Sequence, residues 1–234
     1  MSTASPRPVS PPAPPLADGQ RMDRATFHAR YEATPEHVRA QLIEGVVYMS
    51  CPQTHGHDRP NFLALMWVGH YEHSTPGVMA HGDATWLMDD QAEPEPDAVL
   101  RILPERGGQS RVEGKYLAGA PELVIEVSYS TKATDLGPKR RDYERADVIE
   151  YVVVTVDPDE VIWHEAGAGG LARVAPGPDG LYRSRTFPGL WLDPAALLNR
   201  DLDGLLAALD LGLATPEHAA FVARLAAGAG GPTP

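Results

Sequence analysis

GAPELVIEVSYSTKATDLGPKRRDYERADVIEYVVV, residues 119–154, is the stretch whose reading decides the fold. Residues 123–127 (LVIEV) form a nearly continuous apolar run, the pattern of a strand buried on both faces. A polar loop, SYSTKAT, follows. Residues 135–146 (DLGPKRRDYERA) then read as a charged helix, and residues 150–156 (EYVVVTV) as the next buried strand. One residue interrupts the first apolar run. Glu126 puts a carboxylate where burial costs several kcal/mol unless the group is paired or metal-bound. A purely structural role for Glu126 therefore needs a partner.

Outward from this unit the elements alternate. Residues 23–33 predict a short amphipathic helix with Phe27 and Tyr31 on one face. Residues 42–50 (LIEGVVYMS) predict a strand or hairpin with Glu44 and Gly45 as the turn pair. Residues 61–71 (NFLALMWVGHY), extended back to about Thr54, predict a helix with Phe62, Leu65, Met66 and Trp67 pointing inward together. Residues 78–88 are β-like, and residues 97–103 (DAVLRIL) form a strand. A strand over 160–165 follows the turn Asp157-Pro158-Asp159. Residues 173–187 read as a hairpin punctuated by Gly and Pro. Residues 193–213 and 215–227 read as two terminal helices, the second with a Thr cap and Pro at its first position. Interleaved strands, helices and hairpins give a mixed α/β or α+β class.

Composition narrows the function classes. The chain has 234 residues and a net charge of −12. No stretch approaches the roughly 18–20 apolar residues of a membrane helix. The first 20 residues hold six prolines and no apolar core of a secretory signal, so they are expected to be a disordered leader on a cytoplasmic protein. The tail over 228–234 (GAGGPTP) reads the same way. The single Cys51 excludes an internal disulfide framework and a multi-Cys zinc site. A Gly-x-Ser-x-Gly nucleophile elbow and a phosphate-binding Gly-x₄-Gly-Lys loop are both absent, which leaves a small-molecule hydrolase without support.

The chemistry concentrates in mid-chain. Pro96-Asp97 opens one strand, and Glu126 lies near the end of another. Asp135 and Lys139 stand at i, i+4 on one helical face. Two carboxylates converging from adjacent strands make an oxygen site for a hard cation, Mg²⁺ or Mn²⁺. A lysine beside them can orient or deprotonate a water, or stabilise charge on phosphorus. Each residue also has a plainer use. Asp97 would suit a strand-entry turn, Glu44 a hairpin turn and His55 a polar helix start, and the basic run around Lys139 would suit a solvated face.

The ordered series QLIEGVVYMSCP, His-Gly before a helix, EPDAVLRI and the stretch quoted first resembles the Uma-type restriction endonucleases of the PD-(D/E)XK nuclease superfamily. The resemblance implies a mixed sheet flanked by helices, with the acids on a central hairpin, further β-hairpins and C-terminal helices. It implies a metal-dependent endonuclease in which Asp97 and Glu126 hold Mg²⁺ or Mn²⁺, the Val127 carbonyl is an extra ligand, and Lys139 assists the attacking water. The superfamily's lysine would fall at position 128, where this chain has Ser128; Lys139 is similar to a migrated equivalent. Asp135 and Tyr143 would hold that lysine or contact substrate, and Glu44 and His55 would complete the pocket. The expected division is a leader over 1–20, the nuclease-like domain over 21–192, a helical extension over 193–227 and a tail over 228–234.

The expected partner is DNA, met through Lys132, Arg140 and Arg141. Six acids and no Lys or Arg lie between Asp83 and Asp97, whereas five basic residues face three acids between Lys132 and Arg145. The negative field thus sits beside the expected metal ligands, and DNA affinity should be weak and salt-sensitive. Two strands need two sites, so a homodimer is expected; Leu205, Leu206, Leu209 and Leu213 could form its interface or pack on their own domain. The alternative is a lapsed member of the fold that binds DNA or protein without cutting.

Overall fold

The computed structural model describes residues 14–35, 37–49 and 55–228, with side chains described throughout except at 55–58. Helix α1 (Arg24–Tyr31) is followed by the hairpin β1 (Ala40–Ile43) and β2 (Val46–Met49), then α2 (His55–Ser74). Next come β3 (Val78–His81), β4 (Trp86–Leu87), β5 (Ala98–Ile102), β6 (Arg111–Glu113), β7 (Tyr116–Ala118) and β8 (Leu123–Ser128). A helical run follows: α3 (Lys132–Thr134), a π-helical segment (Asp135–Lys139) and α4 (Arg140–Arg145). The chain closes with β9 (Glu150–Val156), β10 (Asp159–Gly167), β11 (Gly170–Val174), β12 (Tyr182–Arg183), β13 (Trp191–Leu192), α5 (Pro194–Leu198), α6 (Leu202–Leu213) and α7 (Pro216–Gly228).

The apolar run at 123–127 forms the middle of a six-stranded sheet ordered β11-β10-β9-β8-β5-β3. β8 and β9 are parallel because the helical run between them serves as the crossover; every other neighbour pair is antiparallel. Alternation along the strands divides the residues between two faces. Ala98, Leu100, Leu123, Ile125, Val127, Val152 and Val154 meet Leu63, Trp67, Val68 and Tyr71 of α2, with Leu197, Leu205, Leu209, Phe221 and Leu225 from the terminal helices in the same cluster. Val99, Val124 and Val153 lie in a second cluster with Trp86, Tyr143, Tyr151 and Ile162. Glu126 and Ser128 share the face of Val124. A third cluster joins Phe27 of α1 to Leu16, Ala40, Leu42 and Val47.

Several expectations need correction. The inward stripe of α2 is Leu63, Ala64, Trp67, Val68 and Tyr71, while Phe62 and Met66 are 46% and 38% exposed. Two hydrogen bonds orient that stripe: Trp67 Nε1 donates to the Trp191 carbonyl and Tyr71 Oη to the Pro188 carbonyl, both at 2.8 Å. The β-like stretch over 78–88 is two strands in two sheets, broken by Gly82 and by Asp83 at φ 51°. The hairpin expected over 173–187 does not form. β11 turns back at Gly167–Gly170 to pair with β10, and β12 pairs with β13. The first terminal helix is split in two at Arg200, φ 61°, after which Asp201 caps α6 through the Gly204 N–H. Leu205 and Leu209 are buried in their own core. Residues 14–20 are ordered along the hairpin: Leu16 is buried, and the Gly19 N–H donates to the Val47 carbonyl at 2.8 Å. The rest of the expected leader, Cys51 and the tail over 229–234 lie outside the described residues. Among the described residues no single helix is long and apolar enough to cross a membrane.

Candidate active site

Strand register brings the two acids together. Ala98 pairs with Ile125 in the antiparallel β5–β8 ladder, so Asp97, one residue before β5, comes opposite Glu126. Asp97 Oδ2 accepts the Val127 N–H at 2.7 Å. Glu126 is 3% exposed, and on its own strand both chain neighbours point into the other face. The helical run then crosses this face. Its π-helical turn, which contains Pro138 with no N–H to donate, carries Asp135 and Lys139 inward together.

The contacts converge on one carboxylate oxygen. Lys139 Nζ lies 2.8 Å from Glu126 Oε1, and Tyr143 Oη donates to the same oxygen at 2.5 Å. Lys139 Nζ also lies 3.6 Å from Asp135 Oδ1. Asp135 Oδ2 accepts hydrogen bonds from Ser128 Oγ and, at 2.6 Å, from Thr131 Oγ1. Tyr151 Oη donates to the Asp135 carbonyl at 3.0 Å. Asp97, Glu126, Asp135, Lys139 and Tyr143 are all buried.

Magnitudes decide the protonation. Burial pushes the Glu126 carboxyl up to about 8, with Asp135 and Asp97 adding to it and the Lys139 ammonium only partly offsetting it. Burial alone would drive Lys139 toward neutrality, but Glu126, Asp135 and Asp97 outweigh it and raise its pKa, so it remains an ammonium. Burial also raises Tyr143 and Tyr151 well above the ordinary phenol range, which keeps both as hydrogen-bond donors. The cluster has three carboxyl groups to one cation. Its donors are all oxygen, which fits a hard divalent ion that keeps most of its waters. Among the described residues no group of three or more His, Cys, Asp or Glu side chains is arranged to hold a metal by itself.

The structure brings together Asp97, Glu126, Lys139, Asp135 and Tyr143. Val127 joins them through its N–H. Glu44 does not join them. It occupies the hairpin turn at φ 49°, and its carboxylate grips Arg141 in a two-point pair, Oε1 to Nε at 2.6 Å and Oε2 to a terminal nitrogen at 2.9 Å. The open depression it lines, with Arg21, Asp23, Asp90 and Gln91, includes none of the cluster residues. His55 begins α2, which covers the other sheet face; its side chain lies outside the described residues. The three cations expected to meet phosphate all have acidic neighbours: Arg141 has Glu44, Arg140 has Glu144 at 3.2 Å, and Lys132 has Glu160 at 3.9 Å.

Sequence reasoning missed Ser128, Thr131 and Tyr151. A spacing signal existed for one of them, because Thr131, Asp135 and Lys139 fall four residues apart. It also missed the buried Asp142, whose Oδ2 accepts the Glu44 N–H at 2.7 Å and whose Oδ1 pairs with Arg145 at 2.6 Å. Arg145 reaches on to Asp89 at 2.6 Å, tying α4 to the acidic segment.

In structure the chain is similar to a protein from Anabaena variabilis ATCC 29413 described as a putative nuclease belonging to DUF820, with a TM-score of 0.57 and 16% identity over 74% of this chain and 97% of that one. At that identity the likeness establishes a shared fold. Comparison with curated proteins finds no match. The model of the Uma2 family, described as "Putative restriction endonuclease", matches residues 25–195. These residues span β5, β8 and the helical run that together build the acid–lysine cluster, and the chain belongs to the Uma2 family.

Proposed function

We propose that this chain is a divalent-metal-dependent endonuclease that hydrolyses DNA phosphodiester bonds. The observation that carries the reading is the buried Lys139–Glu126 contact at 2.8 Å, with Asp97 on the facing strand end. Asp97 and Glu126 would hold Mg²⁺ or Mn²⁺, with the Val127 carbonyl as a further oxygen. When bound, the metal supplies Lewis-acid stabilisation of charge on the reacting phosphate. Lys139, held as an ammonium by its acidic neighbours, acts as a fixed positive donor to a water or phosphoryl oxygen rather than as a base. Tyr143 keeps the Glu126 carboxyl from rotating. Two copies related by a twofold axis would address two strands, in a cytoplasmic setting.

A second reading is a module that binds without cutting. The carboxylate partners of Lys132, Arg140 and Arg141 favour it, because phosphate must displace them. Supercoiled-plasmid nicking with Mg²⁺, Mn²⁺ or EDTA decides between the two. The nuclease reading expects metal-dependent nicking that Glu126→Ala abolishes. Wild-type protein that nicks under neither metal overturns it.

A further inference from the structure

We infer that Ser128 and Thr131 are positioning residues that aim the Lys139 ammonium at Glu126, acting through Asp135; this rests on the nuclease reading of the same cluster. Ser128 ends β8 two residues after Glu126, so both side chains leave the strand on one face. Thr131 lies one helical turn before Asp135. Their two hydroxyls converge on Asp135 Oδ2, and Oδ1 is the oxygen that meets Lys139 Nζ, at 3.6 Å. One carboxylate thereby ties the strand that carries Glu126 to the helix that carries Lys139. Its backbone is anchored separately, by Tyr151 Oη on the Asp135 carbonyl.

Thr131 gives the second observation. It stands at the N-cap of α3, where a Thr hydroxyl ordinarily accepts an amide N–H of the first turn. Here it makes no cap hydrogen bond and donates to Asp135 instead. The usual helix-stabilising use of this hydroxyl is given up for the carboxylate. The lysine stem has four rotatable carbons, so without a fixed Asp135 its ammonium has several places to go. Both hydroxyls are neutral, so removing them takes no formal charge from the cluster; Asp135 Oδ2 loses two hydrogen-bond donors and with them its fixed orientation toward Lys139.

The test compares wild type, the double variant Ser128→Ala/Thr131→Val, and the hydroxyl-keeping Ser128→Thr and Thr131→Ser. Two readouts are taken. In metal-free protein labelled with ¹⁵N-lysine, the buried Lys139 ammonium should give a resolved, slowly exchanging Nζ signal. That signal should be lost in the double variant and kept in both hydroxyl-keeping variants. In plasmid nicking, kcat should fall on the order of 10-fold in the double variant while KM stays within about 2-fold, since the lost contact acts on the reacting centre and not on DNA binding. A Lys139 signal that is missing from wild type, or that survives unchanged in the double variant, overturns the inference. So does a loss carried by KM alone, or a loss equally large in the hydroxyl-keeping variants. Wild-type protein that shows the signal but no nicking sinks the nuclease reading and leaves the positioning of Lys139 standing.

Discussion

Replacing Glu126 by glutamine should make the protein more stable, by an amount that grows with pH. Burial and the neighbouring acids raise Glu126 from 4.5 to about 8, against the pull of Lys139 at 2.8 Å. The folded chain therefore holds a proton that the unfolded chain gives up above its lower pKa. A native state with the larger proton count loses stability as pH rises between the two values. Each pH unit in that window costs ~1.4 kcal/mol, so the full window amounts to ~5 kcal/mol, of which ~3 has accrued by pH 7. Lys139 adds no slope there. Its raised pKa contributes stability that is fully present below 10.5 and is lost only above it. Glutamine has the same shape and no proton to lose. The variant should match wild type near pH 4.5 and exceed it by several kcal/mol near pH 8. Comparing the two cancels Glu93, Glu122, Glu150 and Asp142, whose carboxyls are also raised by burial and are common to both. The assay is urea unfolding in EDTA followed by tryptophan fluorescence at about pH 5, 6, 7 and 8, read as the difference in unfolding free energy. Curves that run parallel across this range would refute the reasoning. They would mean that Lys139 holds Glu126 ionised and that the ion pair outweighs burial.

The remaining predictions are more local. Tyr143→Phe removes the donor to Glu126 Oε1 from a fully buried position and should cost ~1–3 kcal/mol, read as a shift in urea midpoint with an unchanged slope. Leu63→Ala should cost ~2–5 kcal/mol and Phe62→Ala only ~1 kcal/mol, by the same measurement, because Leu63 is fully buried on the sheet while Phe62 is 46% exposed. At the hairpin turn, where Glu44 sits at φ 49°, Glu44→Ala should destabilise more than Glu44→Asn, by ~1 kcal/mol, since asparagine tolerates the left-handed region while both lose the Arg141 pair. Equal thermal midpoints for those two variants would count against backbone conformation as the cause.

The parts of the fold that were legible rest on local chemistry. The run LVIEV became β8, EYVVVTV became β9, and Glu44-Gly45 became the turn between β1 and β2, with both residues at positive φ as a tight hairpin requires. The errors came where pairing is set at a distance. The hydrophobicity of residues 61–71 fits either helical face, and the hydrogen bonds of Trp67 to the Trp191 carbonyl of β13 and of Tyr71 to the Pro188 carbonyl decide which turns inward. Residues 170–174 look like half of a downstream hairpin until β10 is there to receive them.

The same division holds at the site. By itself the sequence determined that a carboxylate at 126 sits in a strand too apolar to leave it alone, and that Asp135 and Lys139 share a helical face. Both follow from the periodicities of strand and helix, which are local. Only the tertiary structure decided what those groups meet. The β5–β8 register sets Asp97 against Glu126, and the crossover between parallel strands lays Lys139 and Tyr143 on one oxygen. Long-range packing also moved Glu44 out of the cluster and onto Arg141, and gave the expected phosphate-binding cations acidic neighbours. Charge in a sequence has a sign and a spacing. Which charges neutralise one another, and which remain to act, depends on distances that exist only once the chain is folded.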